Sequence, residues 1–383
     1  MARVRAEPHA GVKQETRAVP LSGPYLDERE EELALEVMRS GRLSLGPTID
    51  RFEELFAAKV GAPYAAAVSS GTAGLHLLCV TAGIGAGDEV ITSPYSFAAS
   101  ANCFVYEGGV PVFADIDART LNLDPHAVEA AITPKTKAIV AVDIYGYPCE
   151  LDELRAIADK HGLALIDDSC EAFGAEYKGA PLGSQGPSAV FAFYPNKQIT
   201  TGEGGMVTTH SEEEWRLLRS LRNQGRGDEG GWLEHVRLGF NYRIDDIRAA
   251  IGIGQLEKLD EILALRSKVA KRYDELLGGI PGVELPCPDD ATHKRSWFVY
   301  VVALPDNDTR ERVIATFERE RIGYNRYLPS IHLQPYMRER YGFHEGMCPV
   351  SEDVSSRTLA LPFFTALERD AQERVAEVLA SAV

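Results

Sequence analysis

The chain has 383 residues, 45% of them apolar, and a formal net charge of −17. That length supports two or three structural units, and the composition is ordinary for a soluble globular enzyme. So acidic a surface repels nucleic acid and anionic membrane, and no basic run interleaved with aromatics offsets it.

The opening MARVRAEPHAGVKQETRAVP mixes charges and lacks an apolar stretch, so residues 1–17 read as a mobile tail and not as a secretory signal. Six cysteines stand at 79, 103, 149, 170, 287 and 348 with no C-x-x-C pair, which suits a reducing compartment and a cytoplasmic protein. Residues 60–87 carry no charge and are long enough for a membrane span. Their glycines, proline and hydroxyls instead break the run into strand, turn and helix.

Strands are expected at 65–70, 89–94, 110–115, 137–146, 163–168, 189–194 and 205–209, with helices at 72–83, 97–108, 150–162 and 211–225 between them. Near-continuous apolar strands alternating with helices predict an α/β fold: a mainly parallel, mixed sheet between helices, with ligands at the carboxyl ends of its strands. Residues 239–277 read as one long helix. Beyond it come a strand in RSWFVYVVALP, a helix near 309–323, a polar aromatic loop and a terminal helix. The expected division is a large domain over 18–262 and a smaller C-terminal α+β domain over 263–383.

Three turns at predicted strand ends carry chemistry. In VSSGTAGLH, Gly71 and Thr72 open a helix, which makes either a phosphate site or a plain cap at Thr72. In LALIDDSCEAFGA, two aspartates end an apolar strand and need partners; they could bind a metal, act as acid and base, or cap the next helix. In AVFAFYPNKQITTGEGG, Lys197 follows an apolar strand and precedes a shaped turn, and is either a snorkelling surface lysine or one fixed at the sheet edge. Together the turns offer a phosphate cradle, a buried carboxylate and a buried lysine, the set that pyridoxal 5′-phosphate requires. The P-loop, H-E-x-x-H, G-x-S-x-G and complete G-x-G-x-x-G patterns are missing, and no metal site is expected.

S-G-T before a helix, D-x-x-E-A-x-G, F-x-F-Y-P-x-K-x-I-T-T-G-E-G-G and N-Y-R-x-D-D-I-x-A-A-I-G occur in series. In that order they resemble the DegT/DnrJ/StrS family of sugar aminotransferases, over nearly the whole chain past the tail. The resemblance implies the type I fold of pyridoxal-phosphate enzymes, with a pyridoxamine phosphate form between half-reactions. It identifies Lys197 with the lysine that binds the cofactor and Asp168, three residues before Glu171, with the aspartate facing the pyridine nitrogen. Glu171 falls beside the ring, Phe97 on its face, and Gly71, Thr72 and Ala73 at the phosphate. Asn241 resembles the asparagine that reaches the phosphate from a partner subunit, which implies a homodimer with shared sites. Ala192 departs from the pattern, since many members carry a phosphate-binding serine there.

The resemblance further implies transfer of an amino group from L-glutamate to a keto-sugar, usually a nucleotide-linked one in this family. Tyr324, Asn325, Arg326, Tyr327 and His332 cluster in one loop with groups suited to sugar hydroxyls and a diphosphate. A keto-cyclitol aminotransferase is the alternative enzyme, and a cofactor-binding regulator without turnover the alternative of another class.

Overall fold

A computed structural model of the chain describes residues 17–227 and 234–383. Except for Arg17, the expected tail lies outside the described residues. The strands are β1 (Tyr64–Val68), β2 (Glu89–Thr92), β3 (Val110–Phe113), β4 (Thr136–Val142), β5 (Ala164–Asp168), β6 (Glu176–Tyr177), β7 (Ala180–Pro181), β8 (Ser188–Ala192), β9 (Gly205–Thr209), β10 (His293–Lys294), β11 (Tyr300–Ala303) and β12 (Thr358–Leu361).

Seven of these form one sheet in the order β1-β9-β8-β5-β4-β2-β3. Pairings are parallel from β8 through β5, β4 and β2 to β3, and β9 alone runs antiparallel to both its neighbours. Side chains alternate between the two faces of a strand, so a sheet covered on both sides needs apolar residues at every position. Accordingly Ala65, Ala67, Phe191 and Met206 enter one core, while Ala66, Val68, Val190 and Val207 enter another across the sheet. The first core is aromatic: Phe56 stacks on Phe173 at 4.6 Å and meets Phe191 at 5.2 Å.

Residues 60–87 are not a membrane span but the last residues of one helix, β1 and the helix Gly71–Thr81. Among the described residues, no helix is long and apolar enough to cross a membrane. All six cysteines are free, and all but Cys170 are buried.

The single helix expected over 239–277 is in fact two, Asp246–Glu257 and Leu259–Leu277. The first starts late because Asp245 caps it, accepting the Arg248 amide at 2.9 Å. The break falls at Lys258, whose backbone is non-helical (φ −116°, ψ 16°) and whose ammonium is held 2.8 Å from both Asp27 and Glu30. A third core gathers Val269, Tyr273 and Leu277 with Tyr300, Val302, Phe317, Leu359 and Leu379 around the pair β11-β12. Val19 joins it by pairing with Ile322, bringing the start of the described chain to its C-terminal part. The loop expected near 321–343 contains a short helix, Pro335–Tyr341, and a further helix comes after it at Pro349–Arg357.

Candidate active site

A cavity of about 910 Å³ opens where β1, β4, β5 and β8 end, walled also by Phe298, residues 325–329 and Ile331. Its floor begins with Ser70, which is the true cap of the helix Gly71–Thr81, where the sequence offered Thr72. Ser70 Oγ accepts the Ala73 amide at 3.1 Å, and its carbonyl accepts that of Gly74 at 3.2 Å. The amides of Gly71 and Thr72 are thereby left for whatever the cavity holds, at the positive end of the helix. Ala73 itself is buried and stands apart from the cavity lining. Gly71 has no substitute: a Cβ there would lie 2.7 Å from Cys170 Sγ and 2.8 Å from the Ala192 methyl.

Asp168 ends β5, nearly buried, and lines the cavity. Ser100 Oγ donates to its Oδ2 at 2.6 Å, and the Cys170 amide donates to its Oδ1 at 3.2 Å. Lys197 stands in the turn between β8 and β9, which Thr201 and Gly204 close by pairing with Phe193. Its ammonium is 3.3 Å from Glu171 Oε1 and 3.8 Å from the centre of the Phe298 ring, with 13% of the side chain exposed. Of the two readings of Lys197, the fixed one is therefore the one formed. Glu171 turns its other oxygen to the Tyr145 amide, 2.9 Å away. Burial, and then the charge of Asp168, pushes the Cys170 thiol well above its ordinary pKa, so this cavity residue stays protonated.

Gly71, Thr72, Phe97, Asp168, Glu171 and Lys197 thus share one cavity. Phe97 is 66% exposed, its ring open to a flat ligand. Asn241 is exposed and pairs with Asn223 outside the cavity of its own chain. Of the loop residues, Asn325, Arg326 and Tyr327 line the cavity, whereas Tyr324 and His332 do not. The Tyr324 hydroxyl donates to Glu318, and His332 is buried against Phe113 with Nε2 3.0 Å from Glu352. Arg326 donates through Nε and Nη2 to the two carboxylate oxygens of Glu311, at 3.2 and 2.6 Å.

Several cavity residues escaped sequence reading because they come from distant segments. Phe298 sits in a stretch that read simply as strand; Arg266, which braces the wall from behind, sits in the middle of a helix. The Arg266 guanidinium is buried and, among the described residues, donates to the carbonyls of Trp297, Phe298 and Asn196. Burial lowers its pKa to about 10, so it remains charged at neutral pH.

The donor set fits pyridoxal phosphate: free amides at a helix start for the phosphate, a carboxylate, an amine and an exposed aromatic face. Residues 24–380 match the family model described as DegT/DnrJ/EryC1/StrS aminotransferase family. The spore coat polysaccharide biosynthesis protein SpsC of Bacillus subtilis (strain 168) is 37% identical over 382 residues, covering 96% of this chain and 98% of SpsC. The GDP-perosamine synthase of Caulobacter vibrioides is 41% identical over 322 residues, covering 83% of this chain and 86% of that enzyme. Among solved structures, Spr1654 of Streptococcus pneumoniae in its PLP-form superposes with a TM-score of 0.91 at 26% identity, covering 96% of this chain and 98% of that one. The chain belongs to the DegT/DnrJ/EryC1/StrS aminotransferase family and is a pyridoxal-phosphate-dependent sugar aminotransferase of the type I fold.

Proposed function

We propose that the chain moves an amino group from L-glutamate to a nucleotide-linked keto-sugar, working as a homodimer whose sites are shared. The observation that carries this reading is the amine of Lys197, fixed 3.3 Å from Glu171 in the cavity that Asp168 also lines. When bound, pyridoxal phosphate supplies an electron sink for the charge left on the donor carbon. Lys197 Nζ would hold the cofactor between turnovers and, once displaced, would be the base that takes the proton from the donor Cα and the acid that delivers it onward to complete the same half-reaction, the roles reversing in the second. Asp168 would hold the ring nitrogen and keep a proton there, because an adjacent anion favours the charged form. Phe97 would cover the face of a bound ring, Glu171 would border it, and the amides of Gly71 and Thr72 would take the phosphate. Asn241 of the opposite protomer completes the phosphate site.

For the acceptor, Asn325 and Tyr327 offer hydrogen bonds to sugar hydroxyls, and the likeness to GDP-perosamine synthase supports a nucleotide-linked sugar. Arg326 can grip a diphosphate only by exchanging its Glu311 partner for phosphate oxygens. Lys197→Ala is expected to abolish transamination while leaving the fold intact, as read by circular dichroism. Retained amination of a keto-sugar by this variant would overturn the mechanism. A panel of keto-sugars carrying GDP, UDP or dTDP, with glutamate as donor, tests the substrate class; turnover of a free inosose alone would favour a cyclitol.

A further inference from the structure

The carboxylate in the cavity does not stand alone. Behind Asp168 lie two serines from the segment PYSFAASA, and both line the cavity although both are almost fully buried. Ser100, in the first turns of the helix Ala99–Val105, donates its hydroxyl proton to Asp168 Oδ2 at 2.6 Å. Ser96 Oγ is 2.7 Å from Ser100 Oγ. With the Ser100 proton given to the carboxylate, the Ser96 hydroxyl must donate to Ser100, so the chain of bonds runs one way: Ser96 to Ser100 to Asp168. A hydroxyl that itself accepts a bond donates more strongly, so the second serine reinforces the first.

Ser100 is also tied to the other group that grips a flat ring. Its backbone amide donates to the carbonyl of Phe97 at 3.1 Å. One residue therefore bonds through its side chain to the carboxylate and through its main chain to the aromatic, fixing the distance between them. We infer that Ser100, backed by Ser96, is a positioning residue that holds Asp168 against the cofactor's ring nitrogen and in register with Phe97. This inference rests on the roles proposed for Asp168 and Phe97.

Without the hydroxyl, Asp168 keeps the Cys170 amide, at 3.2 Å, and the protonated Cys170 thiol beside it, both weaker tethers than a short hydroxyl bond. A carboxylate that swings away no longer secures the proton on the ring nitrogen. The lysine-bound cofactor is then less acidified by a positive ring and keeps its own proton to higher pH. Absorbance reads this directly, since the protonated and unprotonated forms of the lysine-bound cofactor have separate bands. For Ser100→Ala in the holoenzyme, the midpoint between these bands is expected to rise by about one pH unit, with kcat lowered roughly tenfold and KM for glutamate little changed. Ser96→Ala, which leaves the carboxylate its donor, is expected to shift the midpoint the same way by less. It also serves if Ser100→Ala fails to fold. Midpoints indistinguishable from wild type in the variants that fold, or a larger shift from Ser96→Ala than from Ser100→Ala, would overturn the assignment. If wild-type protein shows no cofactor bands and borohydride fixes nothing at Lys197, it is the reading of the site that fails instead.

Discussion

Asp167 and Asp168 are neighbours in sequence with opposite surroundings, because successive side chains of a strand point to opposite faces. Asp168 reaches the cavity; Asp167 is buried beneath it, near Asp143 and Cys149, with Oδ1 lacking any hydrogen-bond partner. Asp143 accepts the Cys149 amide at 2.8 Å and the Ser169 hydroxyl at 2.7 Å. Burial raises the pKa of both carboxyls, and the charge of Asp143 raises that of Asp167 further, so the pair holds a proton. A carboxyl raised by folding stabilises fully below its ordinary value, and that contribution is lost as pH rises through the raised value. Asp167→Asn keeps the shape without the titration. Its melting temperature should fall less between acid and neutral pH than that of wild type and should stand higher at neutral pH, by roughly 1 °C per kcal/mol relieved in a chain of this length. Identical pH slopes in thermal melts would refute the shared proton. The doublet was visible in the sequence, but nothing local told which aspartate faced the cavity; that came from the spacing to Glu171 in the family motif. Ser100 was hidden for a related reason. It read as one more small residue of a helix, and only the fold, which sets that helix within hydrogen-bond reach of the end of β5, gives it a partner.

The turn after β4 shows how an element is shaped by its neighbours. Tyr145 adopts a left-handed conformation (φ 55°), uncommon for a residue with a side chain, and its amide is held by Glu171. Gly146 comes next at φ 81°, and a Cβ there would overlap the Ser296 carbonyl, whose own amide donates to Gly146 at 3.0 Å. Gly146→Ala is therefore expected to cost about 2 kcal/mol or more, and to loosen cofactor binding by displacing Glu171. Denaturant melts of the apoprotein and cofactor titration measure the two effects; an unchanged midpoint would contradict them. The strands were legible to within two residues at most ends, since burial on both faces writes a nearly unbroken apolar run. The run to 146 overshot because its last residues form this turn. The helix over 239–277 failed differently: its apolar period continues through Lys258, and the ion pairs that bend the chain there come from residues more than 220 positions away.

For the whole molecule, Phe97 and Leu238 are 66% and 86% exposed on the single chain, and Asn241 comes closely after Leu238. Exposed apolar groups suit a covered surface, and Phe97 lines the cavity itself, in keeping with the proposed shared sites. Each site would then draw Lys197 from one protomer and Asn241 from its partner. Lys197→Ala and Asn241→Asp homodimers, each impaired, should regain about a quarter of the wild-type sites when subunits exchange at random, because hybrids contain one intact site. No recovery after confirmed exchange would place both residues in the same protomer's site. Beyond these exchanges between subunits, each cavity has its own clamp. The Arg266 guanidinium draws the helix Leu259–Leu277, the lysine turn and the Phe298 segment together through three carbonyls, and it loses its charge only near a pH of about 10. This latch consequently stays charged across the neutral range, so that the limbs of a rate profile measured there do not arise from its titration.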